Sequence, residues 1–209
     1  MKKSFFVLSK NILFLGVLMT VWGACTPDPL KDLTPEETQV FITNYEKNTK
    51  FGDYKTFSLA DSVFTLQNQR SGVSTLPLDF RMLGSVTNNM AKRGYNRVSK
   101  TSNPDLGINV VRISETQSGV VANYNPWNSY WGFGGGVGGG FYYPPTYSYY
   151  QTTETYWHLE IVDLKKAQAG QQASIIWNAQ IRGSGIFDES TVATIVDNVF
   201  AQSDYLKRN

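Results

Sequence analysis

Two stretches near the end of the chain alternate apolar and polar residues with a period of two, and they constrain the fold more than anything else. From Thr155 to Asp163, Trp157, Leu159 and Ile161 point one way and Tyr156, His158 and Glu160 the other. Farther on, Ile175, Trp177, Ala179 and Ile181 oppose Ile176, Asn178, Gln180 and Arg182. Successive side chains leave opposite faces only in a β-strand, so both stretches read as strands with one strongly apolar face. The Lys165 to Gln172 connection, which holds Gly170, makes the two a hairpin. A sheet that is apolar on one face must bury that face against another layer.

The covering layer is also legible. Val192, Ile195, Val196, Val199 and Phe200 stand at i, i+3, i+4, i+7 and i+8, one apolar helix face, with Asp188 or Ser190 placed to cap its start. A second helix, about Asp79 to Arg93, presents Leu83, Val86 and Met90 and stops at Gly94. Strands are expected at Gln39 to Glu46 and Tyr54 to Leu59, separated by the turn residues Gly52-Asp53, with a polar stretch through Ser71-Gly72 and Pro77 after them. A short strand at Tyr95 to Val98 follows. Leu106, Ile108 and Val110 then alternate with Gly107, Asn109 and Val111 as a half-buried strand. The expected fold is α+β, in the order β-β-α-β-β-β-β-α: a mixed or mostly antiparallel sheet with two helices packed on one face.

The first residues carry a different kind of signal. Lys2 and Lys3 precede an apolar run from Ile12 to Trp22, then Gly23, Ala24 and the only cysteine, Cys25. The run is shorter than the ~20 residues a spanning helix needs, so a secretory signal is the better reading than a transmembrane anchor. Small residues directly before a cysteine are what lipoprotein processing requires. We therefore expect residues 1–24 to be a lipoprotein signal peptide and Cys25 to be acylated with palmitate-type chains. Trp22 is unusual in the position where Leu or Val is commoner. Acylation also accounts for a lone thiol in an oxidising compartment, where it would otherwise pair between molecules. Residues 25–35 form a tether kept extended by Pro27, Pro29 and Pro35, reaching about 30 Å at ~3.1 Å per residue. Thr26 is not the aspartate that retains many lipoproteins at the inner membrane, so the expected address is the outer membrane of the cell envelope.

Charge narrows the partners. Lys2, Lys3 and Lys10 leave with the signal and take the formal net charge from +2 to −1. A near-neutral chain with 17% charged residues gives no electrostatic ground for nucleic-acid binding. The cluster Lys92, Arg93, Arg97 and Lys100 reads as solvating a helix end and favouring its negative dipole. Residues 36–209 suit a single domain, since no linker divides them into halves that could each bury a core.

From Thr116 to Thr153 there is no Asp, Glu, Lys or Arg, while tyrosines, tryptophans and glycines abound. Glycine at that density holds neither a helix nor a packed strand, so about 123–151 reads as a long loop. Its rings suit stacking on sugars, peptides or a lipid interface. Trp127, Tyr130, Trp131, Phe133, Phe141, Tyr142 and Tyr143 are the candidate binding surface, and the alternative is a loop whose aromatics partly cover the sheet. Gly134-x-Gly136-x-x-Gly139 has dinucleotide spacing, but Phe141-Tyr142-Tyr143-Pro144-Pro145 follows where a phosphate site needs a helix N-terminus.

Catalytic signatures are missing. His158 is the sole histidine and reads as a solvated or hydrogen-bonded strand residue. No G-x-S-x-G, H-E-x-x-H or C-x-x-C occurs, so no catalytic residue, metal site or cofactor is assigned. A hydrolase would need two paired carboxylates from among Asp61, Asp79, Asp105 and Asp163.

Phe51-Gly52-Asp53-Tyr54-Lys55-Thr56-Phe57 resembles the F-x-x-Y-K-T-[FY] signature of an envelope-lipoprotein family, domain of unknown function 4136. Ala91-Lys92-Arg93-Gly94-Tyr95 and Pro104-Asp105-Leu106 are similar to its A-x-x-G-[YF] and P-D-[LF] elements. Leu159 to Asp163 and Ile176-Trp177 resemble its closing hairpin. Asn178-Ala179 stands where that family often has Arg-Gly, the hairpin turn is longer, and the Pro after the last helix is absent. The resemblance implies an α+β lipoprotein of the Bacteroidota and assigns no reaction. Asp105 and Asp163, at strand edges, read as turn-capping carboxylates.

The function expected from these features is that of a non-enzymatic envelope lipoprotein, held at the membrane by Cys25 and acting through protein contacts at a sheet edge or the aromatic loop. The alternative is a glycan, peptidoglycan or lipid-binding module using that loop. A hydrolase is the least supported.

Overall fold

The computed structural model describes residues 33–68, 70–115, 130–131, 154–169 and 173–208. The signal, Cys25, the tether up to residue 32, and Trp127, Phe133, Phe141, Tyr142 and Tyr143 lie outside the described residues. From Pro35 onward the chain forms one compact unit.

Eight strands build one sheet: β1 (Val40–Tyr45), β2 (Thr56–Leu59), β3 (Val63–Gln67), β4 (Arg70–Ser74), β5 (Asn96–Arg97), β6 (Leu106–Glu115), β7 (Glu154–Asp163) and β8 (Ile175–Arg182). Three α-helices lie wholly within the described residues: α1 (Pro77–Lys92), α2 (Leu164–Gln168) and α3 (Val192–Ala201). The sheet runs β1-β8-β7-β6-β2-β5, and β3 also pairs with β6 and carries β4 as a hairpin. Pairings β1–β8, β8–β7, β7–β6 and β3–β4 are antiparallel, whereas β2 and β3 run parallel to β6 and β5 parallel to β2. The fold is therefore mixed α+β, as the alternation and helix faces predict.

The alternation of β7 and β8 sets the core. Trp157, Leu159 and Ile161 join Trp177, Ala179 and Ile181, all buried, under Met82, Leu83, Val86 and Met90 of α1. The predicted face of α3, Val192 to Phe200, completes the same cluster. Burying each such Leu, Ile or Val side chain contributes about 1.5–3 kcal/mol. Both core indoles place their N–H groups: Trp157 donates to the Ile186 carbonyl at 2.9 Å and Trp177 to Ser203 Oγ at 3.0 Å.

Helix α1 ends as its sequence dictates. Gly94 takes φ +88°, Gly94 N–H donates to the Ala91 carbonyl, and Tyr95 N–H donates to that of Met90. That pair of bonds satisfies carbonyls a helix end leaves open. At its start, Asp79 reaches back to the Leu76 amide at 2.8 Å and holds Arg112 at 3.2 Å.

Four expectations need correction. The polar stretch around Ser71-Gly72 is the β3–β4 hairpin, which brings the order to β-β-β-β-α-β-β-β-α-β-α with β8 between the last two helices. The first two strands are shorter than expected and do not neighbour each other, since β1 pairs with β8 and β2 with β6. The β7–β8 connection contains α2, capped by Asp163, whose carboxylate accepts from Lys166 N–H at 2.9 Å. Neither Asp188 nor Ser190 caps α3. Thr191 occupies that position without a side-chain bond to the helix, its hydroxyl donating instead to the Gly185 and Asp188 carbonyls, while Asp188 accepts from the Ser190 amide and hydroxyl in a turn of its own.

Candidate functional site

The face of the sheet away from α1 and α3 is where the polar half of the alternation collects. Cross-strand register aligns Asn109 of β6 with Glu160 of β7, Glu160 with Asn178 of β8, and Asn178 with Asn44 of β1. Trp131 lies over this face at Gly107, where an added Cβ would stand 2.9 Å from the indole ring. Its indole N–H donates to Asn109 Oδ1 at 2.9 Å, Asn109 Nδ2 donates to Glu160 Oε2 at 3.2 Å, and Glu160 Oε1 meets His158 Nε2 at 3.0 Å.

The inner part of this row is not solvated, although Asn44 at its end is exposed. Glu160 and Asn109 are buried, and the His158 side chain is only 12% exposed. Burial raises the Glu160 carboxyl to about 7 against a smaller lowering by the Asn109 bond. Burial and then the Arg182 charge lower His158 to about 4. Both shifts disfavour charge, so below about pH 7 the contact joins a protonated carboxyl to a neutral imidazole rather than forming an ion pair. His158 Nδ1 is buried and has no partner among the described residues. Nearby, Arg182 stacks 4.0 Å above the Tyr156 ring and pairs with Glu154.

The segments that carry the family resemblance meet at one end of the sheet and bond to one another. Tyr54 donates to Asp163 Oδ2 at 2.6 Å, and burial, followed by this bond, keeps its phenol protonated far above the usual range. Asp105 Oδ2 accepts from the amides of Lys55 at 2.6 Å and Thr56 at 3.1 Å, and Thr56 Oγ1 accepts from Asp105 N–H at 3.0 Å. Tyr95 donates to the Phe51 carbonyl at 3.1 Å. These carboxylates fix loop conformations, as their strand-edge positions predict. With Asp79 bonded to Leu76 and Arg112, three of the four aspartates open to a hydrolytic reading serve the frame.

The basic cluster divides. Lys92 lies 3.8 Å from Asp197 and Arg93 donates to the Phe200 carbonyl at 2.6 Å, so these two join α1 to α3. Arg97 and Lys100 do not serve the helix end. They line a cleft of about 510 Å3 with Ser58, Asp61, Ser99 and Tyr130. Sequence reasoning did not find this cleft, because its residues come from three segments that only the β5-β2-β6 order brings together. Of the candidate aromatic surface, Tyr130 therefore lines the cleft and Trp131 packs on the sheet. The two rings meet edge to face at 4.8 Å.

Among the described residues the sheet has one long open edge. Edge strand β5 has two residues, and β4 carries Arg70, Ser71 and Gly72. In contrast β1 offers Val40, Ile42 and Tyr45, exposed by 50%, 41% and 43%, and no strand among the described residues pairs with its outer side. Among the described residues no helix is long and apolar enough to cross a membrane, and no cluster of His, Cys, Asp and Glu could hold a metal ion.

No protein with a curated description matches the chain. Among solved structures it is similar to a DUF4136 family protein from Bacteroides thetaiotaomicron, at 27% identity and a TM-score of 0.63, over 82% of this chain and 99% of that one. A PelC dodecamer from Paraburkholderia phytofirmans matches at 10% identity and TM-score 0.41, over 82% and 99% of the two chains. A PDZ domain protein from Parabacteroides distasonis matches at 17% and 0.43, over 81% and 37%. The family model for DUF4136, a domain of unknown function, matches residues 42–203, a span that runs from β1 through α3 and takes in the bonded Tyr54, Asp105 and Asp163 corner: the chain belongs to the DUF4136 family.

Proposed function

We propose that this chain is a lipid-anchored protein of the cell envelope, attached to the outer membrane through an acylated Cys25, that acts without catalysis by docking an extended segment of another envelope protein along β1. The open β1 edge carries this reading. Exposed strand edges are usually blunted by charge, proline or brevity, as β4 and β5 are by composition and length. The sequence Val40-Phe41-Ile42-Thr43-Asn44-Tyr45 has none of these protections. An incoming strand would gain main-chain hydrogen bonds and set its alternate apolar side chains beside Val40 and Ile42. The aspartates engaged in the frame support a non-catalytic role, because a hydrolase needs carboxylates available to its substrate.

The test is photo-crosslinking in cells with a benzophenone side chain at Val40. An adduct with an envelope protein that disappears when Ile42→Lys is added, and survives Lys207→Glu on the remote C-terminal segment, is the expected result. No adduct at Val40, or one indifferent to Ile42→Lys, overturns the docking reading.

A further inference from the structure

The cleft beside Tyr130 brings together unbonded charged groups of both signs. The Arg97 guanidinium makes no hydrogen bond or ion pair among the described residues, and the Asp61 carboxylate accepts only a 3.5 Å contact from its neighbour Ser62. Elsewhere Asp79, Asp105 and Asp163 each hold two or more donors. The cleft opens where β2 ends at Leu59 and β5 ends at Arg97, the carboxyl ends of two parallel strands. Diverging loops at such ends form crevices that hold ligands.

Its walls are fixed before any ligand arrives. Val98 N–H donates to the Phe57 carbonyl at 2.8 Å and Asn96 N–H to that of Lys55 at 2.9 Å, tying the β5 segment to β2. Lys100 Nζ donates to the Tyr130 carbonyl at 3.2 Å and sits 4.2 Å above the Tyr130 ring. A lysine held in this way loses less side-chain freedom on binding. The volume, about 510 Å3, lies within the ~300–1,000 Å3 common for small-ligand sites.

The lining also selects the ligand. Two cations and one carboxylate leave a net positive site, which calls for an anionic ligand. A bare anion would face repulsion from Asp61, so the ligand must also carry donors for that carboxylate. Hydroxyls supply them, and Ser58 and Ser99, the latter already bonded to Thr101 through its Oγ, also line the cleft.

We propose that this cleft binds one acidic sugar unit, its carboxylate or phosphate held by Arg97 and Lys100 and its hydroxyls by Asp61 and Ser99. The site is separate from β1 and does not depend on what that edge docks. Calorimetric titration of the purified full chain with trigalacturonate, glucose 6-phosphate, maltotriose, inorganic phosphate and dialanine tests it. At least one of the two acidic sugars should bind about tenfold or more tighter than maltotriose, phosphate and dialanine, and which one does so identifies the acid. Arg97→Gln should weaken that binding about tenfold or more. Asp61→Asn should narrow the preference for the acidic sugar over phosphate. Both side chains are exposed, so an unchanged denaturation midpoint verifies that the variants fold. Neither acidic sugar exceeding maltotriose, phosphate binding as tightly as the sugars, dialanine binding best, or indifference to Arg97→Gln would each overturn the proposal.

Discussion

Replacing Glu160 with glutamine tests the reading of the buried β7 pair. The wild-type carboxyl rises from 4.5 to about 7 in the folded chain, so folding favours its protonated form. Between those values the unfolded chain has lost a proton that the folded chain keeps. Stability therefore falls as pH rises through that window and levels off above about 7, a loss of roughly 3 kcal/mol from this group. Glu160 is fully buried, so solvent screening does not discount the figure. The introduced glutamine would imitate the protonated acid, with its amide donating to His158 Nε2 and its carbonyl accepting from Asn109. His158 contributes the opposite limb: lowered from 6.5 to about 4, it stays neutral while the unfolded chain protonates, so stability falls as pH drops through that range. Glu160→Gln removes only the alkaline limb. Denaturant titrations of both proteins from pH 4.5 to 8 should show near-equal stability at pH 4.5 and a gain of about 3 kcal/mol for the variant at pH 8. A variant less stable than wild type across pH 6–8 would establish a charged pair and refute the reasoning.

Three further outcomes are expected. Cys25→Ser should move the protein from the membrane to the soluble fraction and abolish labelling by radioactive palmitate; retention at the membrane would remove the proposed anchor. Tyr54→Phe should lose about 1.5–3 kcal/mol in urea unfolding, the usual cost of deleting a buried bond to a carboxylate, and a change below ~0.5 kcal/mol would deny Asp163 its framing role. Gly183→Ala should cost about 2–4 kcal/mol, because φ is +111° and the new Cβ would stand 2.3 Å from the Thr38 carbonyl oxygen. An unchanged melting midpoint would contradict that geometry.

What the sequence could reveal depended on whether the signal was local. The faces of α1 and α3, the left-handed Gly94 and the parity of β7 and of β8 from Trp177 onward follow from spacing alone and are present, whereas a register shift at Val162 puts Ile176 in the main core and Ile175 in the separate cluster of Val162 and Leu164, against the expected alternation. The β3–β4 hairpin did not announce itself, because Arg70, Ser71 and Gly72 on an edge strand look like a loop when pairing partners are unknown. Alternation also reports parity and not solvent. Asn109 and Glu160 read as a polar outer face, yet Trp131, more than twenty residues along the chain from Asn109, lies over it. The cleft was illegible for the same reason. Asp61, Arg97 and Tyr130 belong to separate segments, and Arg97 and Lys100 in isolation resemble any helix-end charges.

The pairing of β1 with β8 imposes an order of events on the chain. Asn44 meets Asn178 across 134 residues, so the strand nearest the amino terminus finds its only described neighbour among the last to be made. If the chain enters the envelope amino terminus first, β1 emerges with Val40, Phe41 and Ile42 unpaired on both sides and waits for β8. Such distant closure slows folding and prolongs the exposure of a sticky edge. The β1 edge is thus the last part of the described sheet to be secured, and quality control of this protein should act chiefly on molecules that have β1 but not yet β8 in place.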